Sequence, residues 1–240
     1  MASTITLQET VNWALPLLRY QPLTIGTSNE PAITSANIIL QTILGPPFIW
    51  RWNRNTNATT VTVAGTQDYT VALSDFGYFE KATVTDPTGN VTELVWKEVL
   101  SIETNVSANR ARPTFISTQL DDNAGNITFR LMPVPDQVYT LTLIYQKAPV
   151  LFTALSGTWA PIPDYMEYIY TRGFLAFAFQ LGDDQRFMVE HQRFLAQLIS
   201  AAEGLSEMQK NIFLGGSLTT NAQMQSAQLR TQQGAQARGT

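Results

Sequence analysis

The groups able to do chemistry in this 240-residue chain are few and scattered. There is one histidine, His191, beside Glu190, and there is no cysteine. A lone histidine without cysteine rules out most nucleophilic triads of the familiar type and any metal site built from several histidines. His191 reads as a surface or interface residue of an amphipathic helix. Asp183 and Asp184 form the kind of carboxylate pair a glycosidase needs. Their place at a helix start explains them as an N-cap and a first-turn acid. The run Asp121 to Asn126 resembles a calcium loop in composition. It lacks glycine at the sixth place and glutamate at the twelfth, where Met132 stands, so it reads as a turn. No Gly-rich phosphate loop ending in Lys-Ser/Thr occurs. The residues therefore define no catalytic set, no metal site and no cofactor site.

Binding chemistry is slightly better represented. Trp50-Arg51-Trp52-Asn53-Arg54 mixes aromatic and basic groups of the sort that stack on and pair with nucleic acid. Alternation instead puts both tryptophans on one face and Arg51 on the other, which favours a core-and-surface role. Arg110-Ala111-Arg112 is a small basic loop, solvated by default. Four Asn-x-Ser/Thr patterns, at Asn57, Asn90, Asn105 and Asn126, read as a by-product of Asn and Thr abundance, because the start Met1-Ala2-Ser3-Thr4 has no secretory character.

The elements that would carry these residues follow from period and punctuation. Thr6-Leu7-Gln8-Glu9 has the capping-box form, and the helix it opens meets Pro16. A second helix runs from Asn29-Glu30-Pro31 to the stop at Gly45-Pro46-Pro47. From Thr59 to Gln146 the chain is a series of short runs rich in Val, Thr, Ile and Tyr, parted by turn sequences such as Asp86-Pro87-Thr88-Gly89. Trp159 to Asp164 is a stiff lead-in to a helix from Tyr165 that is apolar on nearly every side, with Asp164 as its expected cap. After Gly182 an amphipathic helix runs to about Gln209, with Phe187, Phe194, Leu195, Leu198 and Leu205 on its apolar side. The expected fold is α+β: a bundle of about four helices, two N-terminal and two C-terminal, over 1–55 and 151–210. An antiparallel β-domain over 56–150 is inserted into it, and an extended arm over 211–240 follows.

Charged residues make up 14% of the chain, against about 25% in an average globular protein. A surface of neutral polar residues suits a protein packed against other subunits. The net charge of −4 argues against bulk attraction to nucleic acid or membrane. No run reaches the roughly 18 apolar residues of a membrane span, which leaves synthesis and assembly in a cytoplasm as the expectation. The segment 211–240 is too polar to bury its own core, so it is expected to order against a partner.

The layout resembles the tailed-phage head-to-tail adaptor proteins, and within them the class called tail tubular protein A or head completion protein. The resemblance is carried by the Pro-Phe-Ile-Trp-Arg-Trp step after two helices and by the β-rich middle. Tyr145-Gln146-Lys147-Ala148-Pro149, the Trp159-to-Tyr165 lead-in, the aromatic helix, Asp183-Asp184 and the polar tail complete it. It implies a homo-oligomeric ring, usually of twelve copies, at the head–tail junction of the virion. The portal would lie on one side, and downstream tail, nozzle or fibre proteins on the other. Genomic DNA would pass through the lumen without sequence-specific binding. Portal contact is expected from Ile212, Phe213, Leu214, Leu218, Met224, Leu229, Arg230 and Arg238. Contact between copies is expected from Tyr165, Tyr168, Arg172 and Phe179, because the aromatic helix carries more apolar surface than one small bundle covers. A tail-tube or baseplate protein and a virion-associated peptidoglycan hydrolase are the alternatives. No residues are seen that would carry the hydrolysis.

Overall fold

In the computed structural model the described residues are 2–18, 31–98, 110–122 and 124–213. The chain divides into two compact units, one made of Met1–Ile43 with Leu151–Thr240 and the other of Leu44–Val150.

The first unit begins with an extended leader. Ser3 N–H donates to the Ile162 carbonyl at 2.8 Å, and Trp159 N–H donates to that of Ile5 at 3.1 Å. Helix α1 (Leu7–Ala14) then starts at a complete capping box: Thr6 Oγ1 accepts from Glu9 N–H, and the Glu9 carboxylate accepts from Thr6 N–H. Pro16 converts its end into a 3-10 turn, Leu15–Leu17. Helix α2 (Pro31–Leu44) buries Ile33, Ala36, Ile39, Leu40 and Ile43, spaced three and four apart along one face. Helices α3 (Glu167–Leu181) and α4 (Arg186–Ala201) form a hairpin, and a short helix follows at 207–213.

Trp159 is the fixed point of this unit. It is wholly buried, and its indole N–H donates to Thr10 Oγ1 on α1 at 2.8 Å. Its ring stacks on Tyr170 of α3 at 4.5 Å and meets Phe152 edge-on at 5.0 Å. Such aromatic pairs contribute about 0.5–1.5 kcal/mol each beyond burial. Burial pushes the Tyr170 hydroxyl up to about 12, so it stays protonated beside Ser3 Oγ. At Gly173 α3 comes closest to its neighbours: a Cβ there would lie 2.9 Å from the Phe194 ring and 3.2 Å from Ile39.

The second unit is a seven-stranded mixed sheet. Its strands are β1 (Arg54–Val61), β2 (Asp68–Ala72), β3 (Phe76–Thr85), β4 (Val91–Trp96), β5 (Phe115–Asp121), β6 (Asn126–Met132) and β7 (Thr140–Lys147). Their order is β1-β7-β3-β4-β5-β6-β2. All pairs are antiparallel except β4 with β5, which run parallel and share only Val95↔Phe115 and Trp96↔Ile116. Tyr69, Ala82, Leu94, Ile116, Phe129 and Leu141, one from each of β2 to β7, belong to a single core. A sheet whose strands share one core in this way is curled and barrel-like. On β2 the Tyr69 hydroxyl donates to the Thr66 carbonyl at 2.7 Å and accepts from Val63 N–H, tying β2 to the segment that follows β1.

Two hairpins in this unit close on the same device. Asp86 Oδ1 accepts from the amides of Thr88 and Asn90, and Asp122 Oδ1 from those of Ala124 and Asn126. In each, a glycine at φ 91° makes the reversal (Gly89 and Gly125), a conformation that favours glycine. The Asp86 carboxyl is held down at about 2, chiefly by the Thr88 hydroxyl, and hydrogen bonds from Asn126 lower that of Asp122. The run at Asp121 is therefore a turn whose carboxylate faces its own backbone amides.

The expectation of a four-helix bundle carrying an inserted antiparallel β-domain is corrected. Among the described residues there are five helices and a barrel-like mixed sheet. The β-rich region is not a simple antiparallel insert, because β4 and β5 are parallel. The helices do not form a four-membered bundle either: α1 has only eight residues before Pro16 tightens it, and the leader ahead of it pairs as extended chain with 158–163. Two caps also differ. Asp164 lies in a 3-10 turn and accepts from Thr4 N–H rather than capping α3. Asp183 takes φ 52° in the α3–α4 turn, and the cap residue of α4 is Gln185.

Candidate interaction surfaces

The α3–α4 hairpin brings some of the sequence-predicted contact residues together and separates others. Tyr165 is 69% exposed and Tyr168 48%. Arg172 lies one helical turn beyond Tyr168 on the same side of α3. Its guanidinium binds Glu190 Oε2 on α4 at 2.6 Å, while Arg193 binds the other oxygen of that carboxylate at 2.8 Å. Glu190 is buried, so desolvation of its charge is offset by two guanidiniums. Phe179, expected at the same surface, is instead buried, with the Arg186 guanidinium 4.1 Å above its ring.

His191 sits half-buried among Phe177, Phe187 and Phe194, at centroid distances of 5.2–6.3 Å. Burial lowers its tendency to protonate. The surroundings are those of a packing residue. Among the described residues, no group of three or more His, Cys, Asp or Glu could hold a metal ion. No described helix is long and apolar enough to cross a membrane.

Of the residues expected to meet the portal, Ile212 and Phe213 are exposed at the end of the described chain. Leu214, Leu218, Met224, Leu229, Arg230 and Arg238 lie outside the described residues. Exposed Met188 and Val189 on α4, and Leu181 at the end of α3, were not singled out from sequence. The amphipathic pattern of α4 puts Phe194 and Leu198 inside but does not say which outer residues stay bare. The Arg193–Glu190 pair is local, three residues apart on α4, whereas the link to Arg172 reaches eighteen residues back.

In the second unit, β3 separates from β4 below Ala82 and continues on β7 alone. The gap is an open groove of about 430 Å³ lined by Phe76, Gly77, Tyr78, Phe79, Glu80, Trp96 and Thr118. At Gly77 a Cβ would lie 2.8 Å from the Gln146 carbonyl, so the close approach of β3 and β7 at this bulge requires glycine. Beneath it Gln146 is buried, accepting from Trp50 N–H at 3.1 Å and donating to Glu80 at 3.0 Å. Arg54 pairs with the same Glu80. Trp50 is therefore a core residue stacked on Trp52 at 5.4 Å, with Arg51 exposed beside it. Trp50 is extended, and the chain then makes a 3-10 turn over Arg51–Asn53 instead of continuing as a strand.

The family described as SU10 adaptor protein matches residues 40–226, most of the chain. The chain belongs to that family and is a phage adaptor-type protein. The match supports the phage-adaptor part of the resemblance and does not extend to the tail tubular protein A or head completion class. A comparison with curated proteins finds no match.

Proposed function

We propose that the protein forms a ring at the head–tail junction, joining the portal to downstream tail components around the DNA channel. The observation that carries this reading is the family match, supported by the exposed aromatic and basic residues of the hairpin. The helical unit, 1–43 with 151–210, makes the ring wall, with Tyr165, Tyr168 and Arg172 at the contact between copies. The arm 211–240 clamps the portal through Ile212, Phe213 and the apolar and arginine residues that follow. The sheet meets the next tail protein. Twelve copies is the expected number, and a net charge of −4 suits a lumen that lets DNA slide. Deleting 211–240 tests the arm: the truncated protein should fold and no longer join portal in a pull-down. Normal assembly of the truncated protein on portal would refute the assignment.

A further inference from the structure

His191 is the only histidine of the chain, and histidine is the side chain whose ordinary titration lies between about pH 5 and 8. It stands where α3 and α4 meet. Phe177 reaches its ring from α3, and Phe187 and Phe194 flank it one turn to either side on α4. Phe194 is wholly buried against Gly173, so that side of the cage cannot swing away. Among the described residues no hydrogen bond or ion pair ties the imidazole to a polar neighbour. The charges around it are committed elsewhere. On α4 the Glu190 carboxylate accepts from Arg193 and from Arg172 of α3, and Arg186 pairs with Asp184. Glu167, the other charged residue of α3, is ten residues before Phe177, about 15 Å along the helix. Helix α2, which lends Ile39 to the same core, carries no charged residue.

We infer that His191 is an acid-sensitive joint of the α3–α4 hairpin: neutral, it packs the two helices together, and on taking a proton it loosens them. An imidazolium in this place exchanges water for three hydrocarbon rings and finds no free carboxylate. Phenylalanine faces repay only part of that cost. The same burial holds His191 below its ordinary value of 6.5. The unfolded chain therefore takes the proton near 6.5, and the folded chain only at lower pH. The joint is intact above 6.5, and stability is lost as the pH falls from there towards the folded value. Within that interval the folding constant drops by up to about tenfold per pH unit.

One histidine gives one imidazole Cε1–H signal, so nuclear magnetic resonance of the full chain reads its titration midpoint directly, with no substitution. The expected midpoint lies below 6.5. A midpoint at or above 6.5 would show that the rings hold the cation as well as water does, and would overturn the inference. Thermal unfolding followed by far-UV circular dichroism reads the effect on the helices. The melting temperature of the unsubstituted chain should fall between about pH 7.5 and about pH 5.5. His191→Phe keeps a ring in the cage and cannot titrate, so its melting temperature should fall less over the same range. An equal fall in the two chains would overturn the coupling of His191 to the hairpin.

Discussion

Gly173→Ala puts the packing of the helical unit to a quantitative test. Two opposed effects can be sized. Alanine is the better helix former by about 0.8–1.0 kcal/mol. The new methyl, however, would lie 2.9 and 3.0 Å from two ring carbons of Phe194 and 3.2 Å from Ile39, and both side chains are wholly buried. A buried ring held by its neighbours cannot swing aside, and overpacking of this kind costs about 1–3 kcal/mol. The clash wins, for a net loss of roughly 0–2 kcal/mol. On a domain of this size a loss of 1 kcal/mol lowers the midpoint by about 2–4 °C. Far-UV circular dichroism during heating reads the helices directly. Phe194→Leu should relieve the clash, so a double-mutant cycle should give a favourable coupling of about 0.5–3 kcal/mol. A rise in the melting temperature of Gly173→Ala, or additivity of the two substitutions, would refute the close-approach argument.

Trp159→Phe keeps an aromatic ring but removes the hydrogen bond to Thr10, for a loss of about 0.5–1.5 kcal/mol. Trp159→Ala should cost about 3–5 kcal/mol, and equal losses in denaturant titration would show that the hydrogen bond, not the ring, is what matters. The carboxyl of Asp86 falls from 3.8 to about 2 on folding, so the folded form binds its proton less readily. Its contribution is full above pH 3.8 and is lost as pH falls towards 2; Asp86→Asn should flatten acid unfolding in that window, and an unchanged profile would contradict the turn geometry.

The strands of the second unit were legible because Val, Thr and Ile runs are separated by Asp-x-x-Gly-Asn turns whose chemistry is local. The capping box of α1 was legible for the same reason, since both partners lie within four residues. What sequence could not supply was the non-local pairing. Nothing in Val91–Trp96 or Phe115–Asp121 announces that they run parallel, because two register pairs leave no compositional trace. Asp164 and Asp183 are good cap residues, yet the Thr4 amide claims one and a left-handed turn holds the other. On the hairpin, Tyr165 and Tyr168 are exposed while Phe179 is buried, with Arg186 packed over its ring, a contact across the turn that periodicity does not encode.

The pairing of β1 with β7, where Arg54 faces Gln146, has a consequence for how the chain assembles. The two parts of the first unit are separated by about a hundred residues of intervening sequence, and bringing the ends of so long a loop together carries an entropic cost of (3/2)RT ln n. Once the sheet has formed, the incoming and outgoing strands are hydrogen-bonded neighbours, and the effective loop shrinks to the ten residues 44–53 and the three residues 148–150. Each tenfold shortening is worth about 2 kcal/mol. The sheet thus acts as a clasp for a split unit. The same geometry makes it a cassette: its two ends leave side by side, so it can be cut out and replaced by a short linker, or exchanged for another sheet, with the helical scaffold's connectivity kept.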